Sequence, residues 1–137
     1  MGRRVVLADD LPPVLSTVTK LLEGSFEIVG KASDGMGALE AVLTLDPDVA
    51  VLDISMPGMS GIEVARELRN RGTRAKIVFL TVLEDPDILA VCVAAGGLGY
   101  VVKVLMETDL IAAMNEALEG REFVSRFASQ ENALNGS

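Results

Sequence analysis

Residues 48–70 read DVAVLDISMPGMSGIEVARELRN, and this stretch decides the fold. Asp48–Leu52 is a short run of Val, Ala and Leu without clean alternation, the pattern of a strand covered on both faces. Ser60-Gly61-Ile62-Glu63 matches the Ser-x-x-Glu capping box, so a helix opens there and runs to about Asn70. Asp53 and the turn residues Pro57 and Gly58 lie between the two elements. Strand, short loop and helix make one βα unit.

The same unit recurs on either side. Val5–Ala8, Glu27–Lys31, Lys76–Thr81 and Gly99–Lys103 are four further apolar runs that read as strands. Helical patterns separate them. Val14, Leu15, Val18, Leu21 and Leu22 share a face behind Pro12 and Pro13, with Gly24 past its end. Met36, Leu39 and Leu43 follow the expected cap Asp34. Ile88, Val91, Cys92 and Ala95 follow Asp85-Pro86, and Leu110, Ile111, Met114, Ala117 and Leu118 precede the stop at Gly120. Strict alternation of this kind gives a parallel sheet with helices on both sides and right-handed crossovers. The expected fold is α/β: a flavodoxin-like, doubly wound (βα)5 domain with a five-stranded parallel sheet in the order 2-1-3-4-5. An eight-fold barrel needs more strands than this chain has.

The 137 residues suit one domain at ~150 residues each. With 50% hydrophobic residues the chain can bury a real core, which excludes disorder as its main state. Twelve basic against 20 acidic side chains give a net charge of −8. That balance argues against direct binding of nucleic acid or of an anionic membrane, which a basic patch normally serves. The lone Cys92 cannot form an internal disulfide and reads as a small buried hydrophobe. With no His and one Cys, zinc or haem would lack ligands. The longest uncharged stretch, Ile88–Val102, falls short of the ~20 residues that span a bilayer and contains three glycines. A cytoplasmic domain is expected.

In open parallel sheets, ligands sit outside the carboxyl ends of the strands. Asp9 and Asp10 end the first strand, Asp53 the third, Thr81 the fourth and Lys103 the fifth. Each has an ordinary reading by itself: Asp9-Asp10 as a helix cap, Asp53 as a turn residue, Thr81 as a β-branched strand residue, Lys103 as a solvated charge. Their convergence at one sheet edge is what such readings leave unexplained. Crowded carboxylates repel, so a cation must join them or some must hold a proton. Hard oxygen ligands beside an open shell suit Mg²⁺. A phosphoryl group fits between that metal and the Lys103 ammonium, with the Thr81 hydroxyl as a donor. Asp53, on the central strand, is the best candidate for an aspartate nucleophile that accepts it.

At these residues the chain resembles the receiver domain of bacterial two-component response regulators, over nearly all of residues 3–120. The motifs that carry the resemblance are Val-Leu-Ala-Asp9-Asp10, the segment Leu52–Gly61, Leu80-Thr81 and Gly99-Tyr100-Val101-Val102-Lys103. Ala32-Ser33-Asp34-Gly35 and Asp46-Pro47-Asp48 look most like the subfamily with LuxR-type helix-turn-helix outputs. The resemblance implies a phosphoacceptor at Asp53, charged by a sensor histidine kinase. It implies Mg²⁺ held by Asp10, Asp53 and the Ser55 backbone carbonyl with help from Asp9, and Lys103 paired with the phosphoryl group. Thr81 and Tyr100 would be the switch pair, the hydroxyl moving toward the phosphoryl group and the ring turning inward behind it. Such a domain is a switch that assists only its own phosphotransfer and dephosphorylation, and a homodimer is a further expected partner.

Two departures stand out. Val82 occupies a position where the family usually has Ala or Gly, and it should slow phosphorylation by small donors or slow hydrolysis. Val104-Leu105-Met106 replaces the usual Pro or acid-Ser, either as ordinary burial or as an apolar interaction patch beside Tyr100. Residues 121–137 read as a polar tail or linker start with a weak helical pattern at Phe123, Phe127 and Leu134. A LuxR-type output domain needs roughly 60 more residues by the resemblance, so DNA contact must come from a part absent here. The competing functions are a stand-alone or pseudo-receiver acting as a binding module, and an aspartyl-nucleophile phosphatase.

Overall fold

The computed structural model describes residues 3–82 and 85–126. Six strands form one sheet in the order β2-β1-β3-β4-β5-β6. They are β1 (Arg3–Ala8), β2 (Phe26–Ala32), β3 (Val49–Asp53), β4 (Lys76–Thr81), β5 (Gly99–Val102) and β6 (Phe123–Val124). Every pairing is parallel. The helices are α1 (Pro12–Leu22), α2 (Gly35–Leu45), α3 (Gly61–Asn70), α4 (Pro86–Ala94) and α5 (Met106–Leu118).

The expected (βα)5 core and its strand order are present, but the sheet has six strands rather than five. The sixth, β6, lies where a weak helical pattern was expected. Its pairing comes from the free edge of β5: the Phe123 amide donates to the Leu98 carbonyl and the Ser125 amide to the Tyr100 carbonyl, both at 2.9 Å. Two residues carry no period of their own, so only the neighbouring strand decides their state. Phe127 and Leu134 lie outside the described residues.

Successive strand residues feed opposite faces. Val5, Leu7, Val49, Val51, Val78, Leu80 and Val101 pack with Val18, Leu22, Leu110 and Met114 of α1 and α5. Val6, Ala8, Ala50, Leu52, Ile77, Phe79 and Tyr100 pack with α2, α3 and α4. This two-sided burial is why the strands are continuously apolar. Each large buried side chain contributes about 1.5–3 kcal/mol.

Local signals set the helix starts. Asp34 accepts from the Gly37 amide at 2.7 Å. Asp85 caps α4 through the Asp87 amide at 2.9 Å, with Pro86 following it. Ser60 and Glu63 form both bonds of the capping box. On α2 the buried face differs from the expected one: Ala38, Leu39 and Val42 are buried, whereas Met36 is 61% exposed and Leu43 39%. Small residues let this helix lie close to the sheet, and the bulkier ones turn outward. Among the described residues no helix is long and apolar enough to cross a membrane.

Candidate functional site

Asp9 follows the end of β1, Asp53 ends β3, Thr81 ends β4, and Lys103 starts a 3-10 turn (Lys103–Leu105) directly after β5. Parallel pairing in register brings these ends to one edge: Ala8 pairs with Leu52, Asp53 with Leu80, and Thr81 with Val102. The five residues grouped from the sequence therefore meet. Asp10, Asp53, Thr81 and Lys103 line a cleft of ≈ 230 Å³ together with Leu11, Ile54, Ser55 and Val82. A larger groove of ≈ 510 Å³ runs along β2 and α2 and shares no residue with the strand-end cluster.

The cleft is crowded with charge. Asp9 and Asp53 are buried, and Asp10 is half-buried. Each of the three offers a carboxylate oxygen within 4.8 Å of the other two. The Lys103 ammonium lies 2.7 Å from Asp9 Oδ2 and 3.4 Å from Asp53 Oδ2. Backbone amides hold the remaining oxygens: Leu11 donates to Asp9 Oδ1 at 2.9 Å and Ser55 to Asp53 Oδ1 at 3.2 Å. Asp9 thus fixes the turn before α1 without capping it, since the cap position is Leu11 and has no side-chain bond. Burial, followed by the neighbouring Asp9 charge, pushes the Asp53 carboxyl up to about 6, against the opposing pull of Lys103 and the Ser55 amide.

Asp9 Oδ2 is buried and accepts no directed hydrogen bond, although the Lys103 ammonium is close enough to form an ion pair. An oxygen of this kind, beside two further carboxylates and an open cleft, fits a hard divalent cation with room for water and phosphate oxygens. The donor set contains no sulfur or imidazole, which disfavours softer metals.

The Thr81 side chain is buried at the cleft, and Tyr100 is only 2% exposed. The Tyr100 hydroxyl accepts from the Asp85 amide at 3.4 Å. Burial pushes the tyrosine above its usual range, opposed by the hydrogen bonds from the Asp85 amide and the Thr81 side chain. The ring therefore lies inward, joined to Thr81. Val82 stands 64% exposed on the cleft rim. Of the apolar triplet after Lys103, Val104 is 74% exposed, whereas Leu105 and Met106 are half-buried and Met106 packs on the α1–α5 side of the core.

Gly61 emerged from the structure as a site determinant. A Cβ there would stand 2.2 Å from the Asp53 carbonyl oxygen and 2.9 Å from its carbon. The Gly61 amide also donates to Ile54 O at 2.9 Å. Only glycine lets the start of α3 press against the backbone that carries Asp53. Glycine straight after a helix cap was the one sequence signal, since it is a poor helix former. Gly35 serves a similar approach of α2 to the Met59 carbonyl, at 2.1 Å from a built Cβ.

The profile of the response regulator receiver domain matches residues 5–115. The transcriptional regulatory protein NarL of Mycobacterium tuberculosis is 34% identical over 124 residues, covering 89% of this chain and 57% of that protein. The chain thus spans little more than half the length of that relative. A LuxR-family two-component response regulator from Aurantimonas superimposes with a TM-score of 0.88 at 30% identity, covering 99% of both chains. The isolated receiver domain of RcsB from Salmonella enterica serovar Typhimurium, solved with the phosphomimetic BeF3⁻, superimposes with a TM-score of 0.84 at 29% identity over 95% of this chain and 98% of that one.

Proposed function

The chain belongs to the response regulator receiver domain family, and on that premise we propose that it is a switch that takes a phosphoryl group on Asp53 from a sensor histidine kinase. The observation that carries this reading is the position of the Asp53 carboxylate: it ends β3, buried between Asp9 and Lys103, and opens to the cleft. A carboxyl titrating at about 6 is mainly ionised at neutral pH and so is available as a nucleophile. Asp53 attacks the phosphorus, the bond from phosphorus to the donor breaks, and the donor leaves with its electron pair. Lys103 sits 3.4 Å from Asp53 Oδ2, where it can neutralise the incoming oxygens. The Thr81 hydroxyl faces the same cleft and donates to one of them. Asp9, Asp10, Asp53 and the Ser55 carbonyl would hold Mg²⁺, which when bound offsets the charge that builds on the phosphoryl oxygens.

Thr81 and Tyr100 then read the event. Drawing Thr81 toward the phosphoryl group favours the inward ring, a two-state element biased by a local change of charge. Moving such an equilibrium from 1:99 to 99:1 takes about 5.5 kcal/mol. The domain covers residues 3–120, acts in the cytoplasm, and turns over no separate substrate. Regulation of transcription would fall to the LuxR-type output domain that the resemblance implies.

Intact mass after incubation with acetyl phosphate and Mg²⁺ tests this. Wild type should gain the mass of one phosphoryl group and Asp53→Asn none. Failure to bind Mg²⁺ and beryllium fluoride at Asp53 would make the chain a pseudo-receiver, and steady turnover of a phosphomonoester would make it a phosphatase.

A further inference from the structure

We propose that Ser125 is a positioning residue for Tyr100, acting through β6, so that the state of Asp53 passes to the chain beyond Arg126. This rests on the switch reading above and extends it to a segment outside the (βα)5 core.

Tyr100 is held at both ends. Its hydroxyl meets Thr81 and the Asp85 amide, and its carbonyl accepts the Ser125 amide at 2.9 Å. Tyr100 pairs in register with Val124, and Val124 packs against the same core cluster as the Tyr100 ring. Leu89, Cys92 and Val93 border the two, leaving a gap of only ≈ 10 Å³. The inward ring and the docked strand therefore complete one packed volume. An outward swing of the ring would leave a void the size of an aromatic side chain, and a lifted β6 would bare the ring.

β6 is too short to stay in place by itself. The flanking Ser125 fastens it: this residue is 1% exposed, and its Oγ donates to Asp109 Oδ2 in α5 at 2.7 Å. The other oxygen of Asp109 receives Thr108 Oγ1 at 3.2 Å. A partly buried hydroxyl–carboxylate bond of this kind ties the returning strand to the first turn of α5. A two-residue edge strand held by so few bonds is the sort of element that opens locally at low free energy.

Docked β6 and inward Tyr100 favour each other, so a phosphoryl group that draws Thr81 and fixes the ring also fastens the strand. Without it the docked strand opens more readily. Linkage requires the reverse as well: loosening β6 weakens binding of a phosphoryl mimic by the same factor.

Beryllium fluoride with Mg²⁺ is the probe, on the full 137-residue chain. Calorimetric titration should show a 3–10-fold weaker affinity for Ser125→Ala than for wild type. In a Tyr100→Ala background the same substitution should change affinity less than 1.5-fold, because its route is gone. Hydrogen exchange at the Phe123 and Ser125 amides of wild type should slow at least tenfold on adding the probe. The chain has one tyrosine and no tryptophan, so tyrosine fluorescence reports Tyr100 alone and should shift in Ser125→Ala. If Ser125→Ala does not fold, Asp109→Asn weakens the same bond from the other side and should show a smaller loss in the same direction. Equal affinities, or an equal loss in both backgrounds, would overturn the proposal and leave the switch standing. A wild type that does not bind the probe at all would bring down the switch reading and this inference with it.

Discussion

Replacing Asp53 by Asn should stabilise the metal-free protein while removing the carboxylate proposed to accept the phosphoryl group. In the folded state the Asp53 carboxyl titrates at about 6 rather than 3.8, because burial and the Asp9 charge disfavour its ionised form. That difference corresponds to about 3 kcal/mol. Between pH 3.8 and about 6 the native protein holds a proton that the unfolded chain has released. Stability therefore falls as pH rises through this window and levels off above about pH 7. Asn is isosteric and neutral, and its amide oxygen still accepts the Ser55 amide. It gives up the attraction to Lys103, 3.4 Å away, so the gain should be about 1–3 kcal/mol at pH 8. For a domain of this size that is a rise in Tm of roughly 4–10 °C. Thermal unfolding in chelator, for both proteins at several pH values, measures it. The gap should shrink to about 1 kcal/mol by pH 4.5, where wild type is already protonated. Added Mg²⁺ should narrow the gap at pH 8 by stabilising wild type more than the variant. A variant less stable than wild type at pH 8, or a gap independent of pH, would refute the account of crowded buried charge.

Other perturbations test different parts of the site. Gly61→Ala sets a Cβ against the Asp53 carbonyl, 2.2 Å away, and should cost about 2–4 kcal/mol in urea unfolding; phosphorylation by acetyl phosphate should slow at least tenfold with it. Val82→Ala trims an exposed side chain from the cleft rim, so its folding stability should stay within about 0.5 kcal/mol. Its phospho-Asp53 should form or hydrolyse several-fold faster than in wild type, and equal rates of both steps would acquit Val82. Val104→Ser and Leu105→Ser should reduce self-association of the phosphorylated form in sedimentation if the triplet after Lys103 is an interaction patch, with the larger effect at the more exposed Val104.

The gap between sequence and structure tracks the range of the forces involved. Short-range chemistry was legible. The Ser60–Glu63 capping box, the Asp85-Pro86 start of α4 and the two-sided apolar strands each lie within a few residues, and they led to the parallel sheet and its order. Because parallel strands all end at the same edge, knowing the fold was enough to bring Asp9, Asp10, Asp53, Thr81 and Lys103 together before any distance was known.

The features that needed the tertiary structure were long-range. β6 exists because β5 had a free edge for Phe123 and Ser125 to bond, a partnership across more than 20 residues that no local pattern announces. The outward turn of Met36 and Leu43 on α2 depends on how closely that helix lies against β1 and β2. The requirement for glycine at position 61 comes from a backbone across a loop, and the proton affinity of Asp53 from desolvation that only a completed core imposes. The sequence by itself determined which groups gather at the end of the sheet, since that follows from periodicity and connection length. Only the folded chain decided how tightly they are held, how far the Asp53 carboxyl is pushed up and what Tyr100 touches, because burial and edge pairing are properties of the whole packed chain.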